Sequence, residues 1–341
     1  MSSEQPILCL GLAGFTPEQT KHLEALLARL PQGLAAWQIS AFSEADAWLV
    51  SGEKSRLLSA DTLKVLAGRP TERTLQINLS EVDRPIAFSL PLAPGNLDPM
   101  YTFDPTSVPS LHQMLHKLET RLRSLRCQFV LGGQLIARES QLLPGIYQVS
   151  HHGTLLAVMD FHEWRIGISP DAEPPDFELA RWDRRPLAAR GIPAHFLPNS
   201  LSQLRWIYTQ RTRRDVLPPR YRSKPVYLRR APDVPMRWLR DSQLLLLRAL
   251  SQEISTFERL QQRTGLTAAQ LTRDLASLYF AGSITTTPDK AGTGSFVNLD
   301  VTAGSAADCA ALLAAPAAAA AVGQPRTVTV DPTAPAQLGR K

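Results

Sequence analysis

The chain has 341 residues, 44% of them hydrophobic and 20% charged, with a formal net charge of +6. That length predicts two or three domains, and that composition can fill real cores, which excludes a globally disordered chain. Cys9, Cys127 and Cys309 are isolated thiols without CxxC spacing, which argues against a disulfide framework, a zinc module and an iron–sulfur centre.

In chain order, Ile7 to Phe15 is an apolar run of strand length. Thr16-Pro17-Glu18 then supplies a cap, a proline and an early acid, the opening of a helix. Leu23, Leu26, Leu27 and Leu30 share one face of that helix, and Pro31 stops it. AWQISAF, AWLVSG, TLQINLSE and PIAFSLPLAP read as further short strands, with helical material such as SADTLKVLAG between them. Strands alternating with helices predict a parallel sheet with helices on both faces, an α/β layer architecture. The opening lacks a basic stretch ahead of its apolar run, and no run of bulky apolar residues reaches bilayer length, so a soluble cytoplasmic chain without membrane partners is expected.

The layout of residues 1–95 resembles the receiver domain of bacterial response regulators. That family carries acids after the first strand, where this chain has Ala13 and Gly14, and a phosphoacceptor Asp after the third, where AWLVSG ends in Ser51 and Gly52. Ser80 matches the family's hydroxyl, and Leu90 in Ser89-Leu90-Pro91 stands where a Lys belongs. Without clustered carboxylates there is no Mg²⁺ seat, and without the Asp there is no acyl phosphate. The resemblance therefore implies a degenerate receiver that offers a protein-docking surface.

Residues 96–126 read as a Pro/Gly/Asp-rich linker followed by a basic amphipathic helix with Leu111, Met114, Leu115, Leu118, Leu122 and Leu125 on one face. Residues 127–237 read as an α+β module, in which QFVLGGQLIA, GIYQVSHHGTLLAVMDF and EWRIGIS are β-like and His152-Gly153-Thr154 makes a hairpin turn. Prolines confine long helices in its second half to Ser200–Arg213, with Leu201, Leu204, Ile207 and Tyr208 on one stripe.

Between Arg181 and Arg240, 15 Lys plus Arg face three acids, which leaves 22 basic residues against 28 acidic ones elsewhere. Charge gathered this way attracts phosphates or an acidic partner. Arg181, Trp182, Arg184 and Arg185 form one Arg/aromatic group; Arg211, Arg213, Arg214, Asp215, Arg220, Tyr221 and Arg222 form the densest. Guanidinium groups hold phosphate bidentately and aromatic faces stack bases. These residues are the candidate site for an anionic or nucleotide ligand, a cyclic dinucleotide such as c-di-GMP being the sharpest guess. The competing reading is that the arginines pack on aromatics and pair with the acids of the flanking domains.

Residues 238–299 contain DSQLLLLRALSQ, TFERLQQRTG and TAAQLTRDLASLYFAG, three helices with Ser255 or Thr256 capping the second, Thr267 the third, and Gly265 and Gly282 at ends, before the strand SITTT. Leu271, Leu275 and Leu278 face inwards. This pattern resembles a winged-helix domain, which implies DNA binding through Gln270, Arg273, Asp274 and Ser277, or docking of a protein. Six basic residues against five acids between Leu239 and Lys290 make a weak phosphate footprint. The last 41 residues hold 14 Ala and read as a disordered tail spanning 300–341.

For catalysis there is GLAG but no GxGxxG, no Walker loop, no GxSxG and no HExxH. Asp160 and His162 could share a strand face as two metal ligands, with Glu163 beside them but no evident third ligand, and His151-His152 sits at a turn. The expected fold class is an α/β receiver-like domain, an α+β middle module and a winged helix-turn-helix domain. The expected protein is a non-enzymatic regulator without cofactor, whose alternative role is DNA-binding transcription control.

Overall fold

The apolar run near the start of the chain becomes the middle of a parallel sheet. In this computed structural model, which describes residues 4–30, 35–69, 72–93, 99–186, 189 and 191–292, β1 (Ile7–Ala13) is flanked by β2 (Ala36–Ser40) and β3 (Ala47–Ser51). Between β1 and β2 runs α1 (Pro17–Leu27), whose first turn is closed by a reciprocal bond pair between Thr16 and Gln19. Three antiparallel strands follow: β4 (Ser55–Ser59), β5 (Thr62–Val65) and β6 (Leu75–Asn78). The chain then returns to the parallel sheet with β7 (Ile86–Ser89) and β8 (Thr102–Phe103), giving the order β2-β1-β3-β7-β8.

Two expectations change here. SADTLKVLAG is a β-hairpin, because Leu63 and Val65 alternate with Thr62 and Lys64 and turn inward at the strand period of two. The segment read as a plain linker supplies β8. Ser80 consequently ends no strand of the parallel sheet; β6 belongs to the meander, and Ser89 ends the fourth parallel strand.

One face of the parallel sheet is covered by α1 and α2 (Val108–Arg121), burying Leu8, Leu10, Leu23, Leu26, Leu111 and Leu115. The other face, where helices were expected, is covered instead by the meander, because the segment after β3 alternates at the strand period and sets Leu63, Val65 and Ile77 against Val50 and Phe88. Glu119 on α2 is almost fully buried, yet its carboxylate accepts from Ala35 N at 2.7 Å and Trp37 Nε1 at 3.1 Å, and pairs with Arg126 at 3.2 Å. A buried charge needs such a set of donors.

QFVLGGQLIA is helical rather than β-like, within α3 (Arg123–Ala137). Its buried Cys127, Leu131 and Leu135 recur every four residues. Beyond it lies an antiparallel sheet in the order β12-β9-β10-β11-β13. Its strands are β9 (Ile146–His151), β10 (Thr154–Asp160), β11 (Arg165–Ile168), β12 (Arg181–Arg184) and β13 (Leu197–Ser200). The β9–β10 turn is His152-Gly153, both at positive φ (46° and 81°), the backbone a two-residue hairpin requires. The short α4 (Pro174–Glu178) packs against α3.

α5 (Leu201–Arg211), capped by Ser200, leaves β13 and enters the centre of the molecule. The expectation of one apolar stripe is too modest, because nine of its eleven residues, Leu201, Ser202 and Leu204 through Gln210, are buried. It packs on α3 and on α9 (Ala268–Phe280), the last of a set formed with α6 (Arg220–Ser223), α7 (Asp241–Gln252) and α8 (Phe257–Thr264). β14 (Tyr227–Leu228) and β15 (Ile284–Thr285) pair beside these helices. Residues Met1–Ser295 form one compact unit of mixed α/β structure; the 300–341 segment lies outside the described residues. Among the described residues no helix is long and apolar enough to cross a membrane.

Close approach of α3 and α5 depends on glycine. A methyl group at Gly132 would fall 2.7 Å from Leu204 O, and one at Gly133 2.7 Å from the Tyr208 ring. Gly132→Ala is expected to lower the stability by about 2 kcal/mol, read from urea denaturation, whereas Gly191→Ala, which meets nothing within 4 Å, serves as the silent control.

Candidate functional site

The basic segment divides into three groups. Arg181, Trp182 and Arg184 lie on the edge strand β12, with Arg185 just after it, on the far side of the antiparallel sheet from the strand that leads into α5. Arg181 Nε pairs with Asp183 at 2.8 Å, Trp182 Nε1 donates to Gln134 Oε1 at 3.0 Å, and Arg138 covers the indole ring. Arg184 donates to Pro144 O and Arg185 to Gly191 O, each at 3.0 Å. These four side chains are thus committed to their own neighbourhood and do not join the denser cluster.

The second group turns inward. Arg211 at the end of α5 reaches Asp46 Oδ1 at 2.5 Å, while Asp46 Oδ2 accepts from Cys9 N at 2.9 Å. Glu44 pairs with Arg240 at 3.4 Å in the same concavity, whose apolar wall includes Trp206 and Trp238. Tyr221 is buried, and its hydroxyl donates to Ile284 O at 3.2 Å. Burial pushes its phenol up to about 12, so it is a core residue and cannot serve as a base-stacking platform. Arg220 lies 5.5 Å from the ring centres of both Tyr221 and Tyr279.

The third group makes a cleft. Arg213, Arg214, Asp215 and Arg222 line a concavity of about 380 Å³ together with Arg273, Phe257 and the first turns of α9. Such a volume is at the small end of ligand clefts, roughly 300–1,000 Å³. The floor is Ala268, Ala269, Thr272 and Ala276, small residues on one side of α9. Thr267 caps that helix by accepting from Gln270 N at 3.2 Å, and the helix end adds partial positive charge. Asp215 contacts Arg222, and Glu4 from the start of the chain lies 3.2 Å from Arg214 Nε. The Arg213 and Arg273 guanidinium groups have no ion-pair partner among the described residues. Four cations against two carboxylates leave the cleft with a surplus of two positive charges.

Sequence reasoning placed Arg273 on a DNA-facing surface and passed over Phe257 and the small residues. The spacing of Ala268, Thr272 and Ala276 by four was the available signal. Glu4 carried no signal, being some two hundred positions from its partners.

The exposure expected of α9 is corrected. Gln270 is exposed, but Asp274 and Ser277 are buried. Ser277 Oγ accepts from Thr209 Oγ1 at 3.0 Å and Gln210 Nε2 at 2.5 Å, and donates to Arg273 O at 3.0 Å, because α5 lies over this face. Asp274 Oδ1 accepts from Gln243 at 3.1 Å, while its Oδ2 is buried without a partner.

Two other places give no site. The carboxyl end of an open parallel sheet is the usual ligand crevice in α/β folds. Here it is filled by the chain itself: a methyl at Gly68 would fall 1.9 Å from Phe15 O, and one at Gly52 2.1 Å from Ser89 O. Asp160 Oδ1 accepts the amides of His162 at 2.8 Å and Glu163 at 3.2 Å, closing a turn. Among the described residues no three His, Cys, Asp or Glu gather in a way that could hold a metal ion. Comparison with family models, with curated proteins and with solved structures finds no match to this chain.

Burial raises the Asp274 pKa above its ordinary value, against the opposing pull of Ser242, Arg240, Gln243 and Arg273. The folded state therefore holds this proton more tightly than the unfolded one, and stability declines as pH rises from about 3.8 through the raised value. Asp274→Asn is expected to flatten that decline and to be the more stable form at neutral pH, as denaturation midpoints from acid to neutral pH would reveal.

Proposed function

We propose that this chain is a non-enzymatic cytoplasmic signalling regulator that binds a phosphate-bearing ligand in the cleft between the 212–222 loop and α9. The observation that carries the reading is the convergence of Arg213, Arg214, Arg222 and Arg273 on one concavity, two of them unpaired. Crowded guanidinium groups repel one another unless an anion sits among them. Phosphate is the anion whose oxygens match their fork. Phe257 and the alanine floor would take an apolar or planar part of the ligand, which suits a nucleotide.

In this reading residues 1–95 form a degenerate receiver-like domain. Its support is the parallel order β2-β1-β3-β7-β8, the 2-1-3-4-5 arrangement of doubly wound sheets, with a filled crevice where phosphoryl transfer would occur. Such a domain offers surface to protein partners. The helices from Asp241 to Phe280 form a winged-helix-like unit, supported by the α8–α9 turn at Gly265 (φ 67°) and the Thr267 cap. The alternative of a DNA reader has that turn in its favour. It loses support from the burial of Ser277 beneath α5 and of Asp274 against α7, which leaves α9 little face for a groove.

Titration calorimetry with a guanine dinucleotide, inorganic phosphate and pyrophosphate tests the reading. Binding is expected, with Arg213→Ala and Arg273→Ala each weakening it about tenfold, as loss of a hydrogen bond to a charged group does, and Arg181→Ala leaving it unchanged. Absence of heat with every anion, alongside retardation of a DNA fragment, would replace this reading by the alternative.

A further inference from the structure

Glu4, from the segment ahead of β1, sets its carboxylate against the loop that shapes the cleft. Its Oε1 accepts from Thr212 Oγ1 at 2.6 Å and from Arg213 N at 2.9 Å. Its Oε2 accepts from Tyr208 OH at 3.1 Å and lies 3.2 Å from Arg214 Nε. Four donors on one short stretch, 208–214, converge on one carboxylate whose side chain is only 15% exposed. This is the constellation of an anion receptor, and its occupant is the chain's own N-terminal segment, just ahead of β1.

Arg213 and Arg214 belong to both structures. Their main chain or guanidinium holds Glu4, and their side chains line the cleft. A ligand with one phosphate can be met by Arg213 and Arg273, which are unpaired. A ligand with two adjoining phosphates carries more charge than those two cations balance, and the nearest remaining guanidinium is that of Arg214, at present shared with Glu4. One guanidinium cannot serve both anions at full strength.

Resting on the anion-cleft reading above, we propose that Glu4 is an internal competitor: the cleft selects ligands bearing a diphosphate group, and filling it unseats the N-terminal segment from the 208–214 cradle. Coupling of this kind is reciprocal, so whatever weakens the Glu4 contact must tighten the ligand by the same factor. The N-terminal segment leads directly into β1, an interior strand of the parallel sheet, which connects occupancy of the cleft to the receiver-like domain.

The test uses the full chain, with inorganic pyrophosphate as the probe and two readouts: affinity by calorimetry, and hydrogen exchange at the Arg213 amide, which Glu4 protects. Glu4→Ala is expected to bind pyrophosphate about fivefold more tightly than the wild type, the equivalent of an exposed ion pair removed. Glu4→Gln, which keeps an acceptor for Thr212 and Arg213 and so guards against local unfolding, should fall between the two. Saturating pyrophosphate should speed exchange at Arg213 in the wild type, and inorganic phosphate should not. If pyrophosphate binds but Glu4→Ala binds it equally or more weakly, or Arg213 stays protected at saturation, the competitor is overturned and the cleft stands. If pyrophosphate gives no heat while another of the anions does, the diphosphate selectivity is overturned and the cleft stands; if none gives heat with either protein, the cleft reading falls and takes this one with it.

Discussion

A helix that is both polar in sequence and buried on nearly every side needs partners for its polar groups, and α5 imposes that requirement on the whole molecule, leaving only Arg205 Nε, Gln210 Oε1 and Arg211 Nε buried without one among its described side-chain atoms. Arg205 is answered by Glu139 at 3.3 Å and by the face of Trp164, Thr209 and Gln210 by Ser277, and Arg211 by Asp46. Those partners come from the end of α3, from α9 and from the loop before β3. Satisfying one helix therefore pulls three distant parts of the chain together, which accounts for residues Met1–Ser295 behaving as one unit despite their separate hydrophobic clusters.

The same requirement explains the use of the charge asymmetry. Acids of the first hundred residues, Glu4, Glu44 and Asp46, meet Arg214, Arg240 and Arg211 of the basic segment. Much of the positive charge is thus consumed internally, as the competing interpretation of the arginines held. It is not consumed where the chain leaves α5 and becomes exposed. There Arg213 and Arg273 of α9, both without an ion-pair partner among the described residues, line one cleft. A guanidinium near the surface tolerates the lack of a partner because water solvates it, and that makes it free for a ligand.

Several elements were readable locally. Thr16, Ser200 and Thr267 each announce a helix start because their oxygens accept a free amide of the first turn. His152-Gly153 announces a hairpin, and Leu271, Leu275 and Leu278 give the buried side of α9. The misreadings share a cause. SADTLKVLAG and QFVLGGQLIA are short runs in which periods of two and 3.6 overlap, so pattern alone cannot separate strand from helix. The Gly132-Gly133 pair lowers helix propensity, yet it sits in a helix because α5 presses against it.

The candidate site was half legible for the same reason. Charge density and residue type pointed to the segment holding Arg213, Arg214 and Arg222, since a guanidinium's chemistry travels with the residue. Which guanidinium groups are unpaired depends on carboxylates up to two hundred positions away, and no local pattern encodes that. Chain order alone thus determined where the capped helices α1, α5 and α9 begin, where the hairpin turns and where positive charge is concentrated, because caps, turn glycines and formal charges act within a few residues. Only the tertiary structure decided which arginines are spent on Glu4, Asp46 and Asp215, that Tyr221 and Ser277 belong to the interior, and that Arg273 joins the cleft. Ion pairing and burial are relations between surfaces, and those surfaces exist only after distant segments have packed.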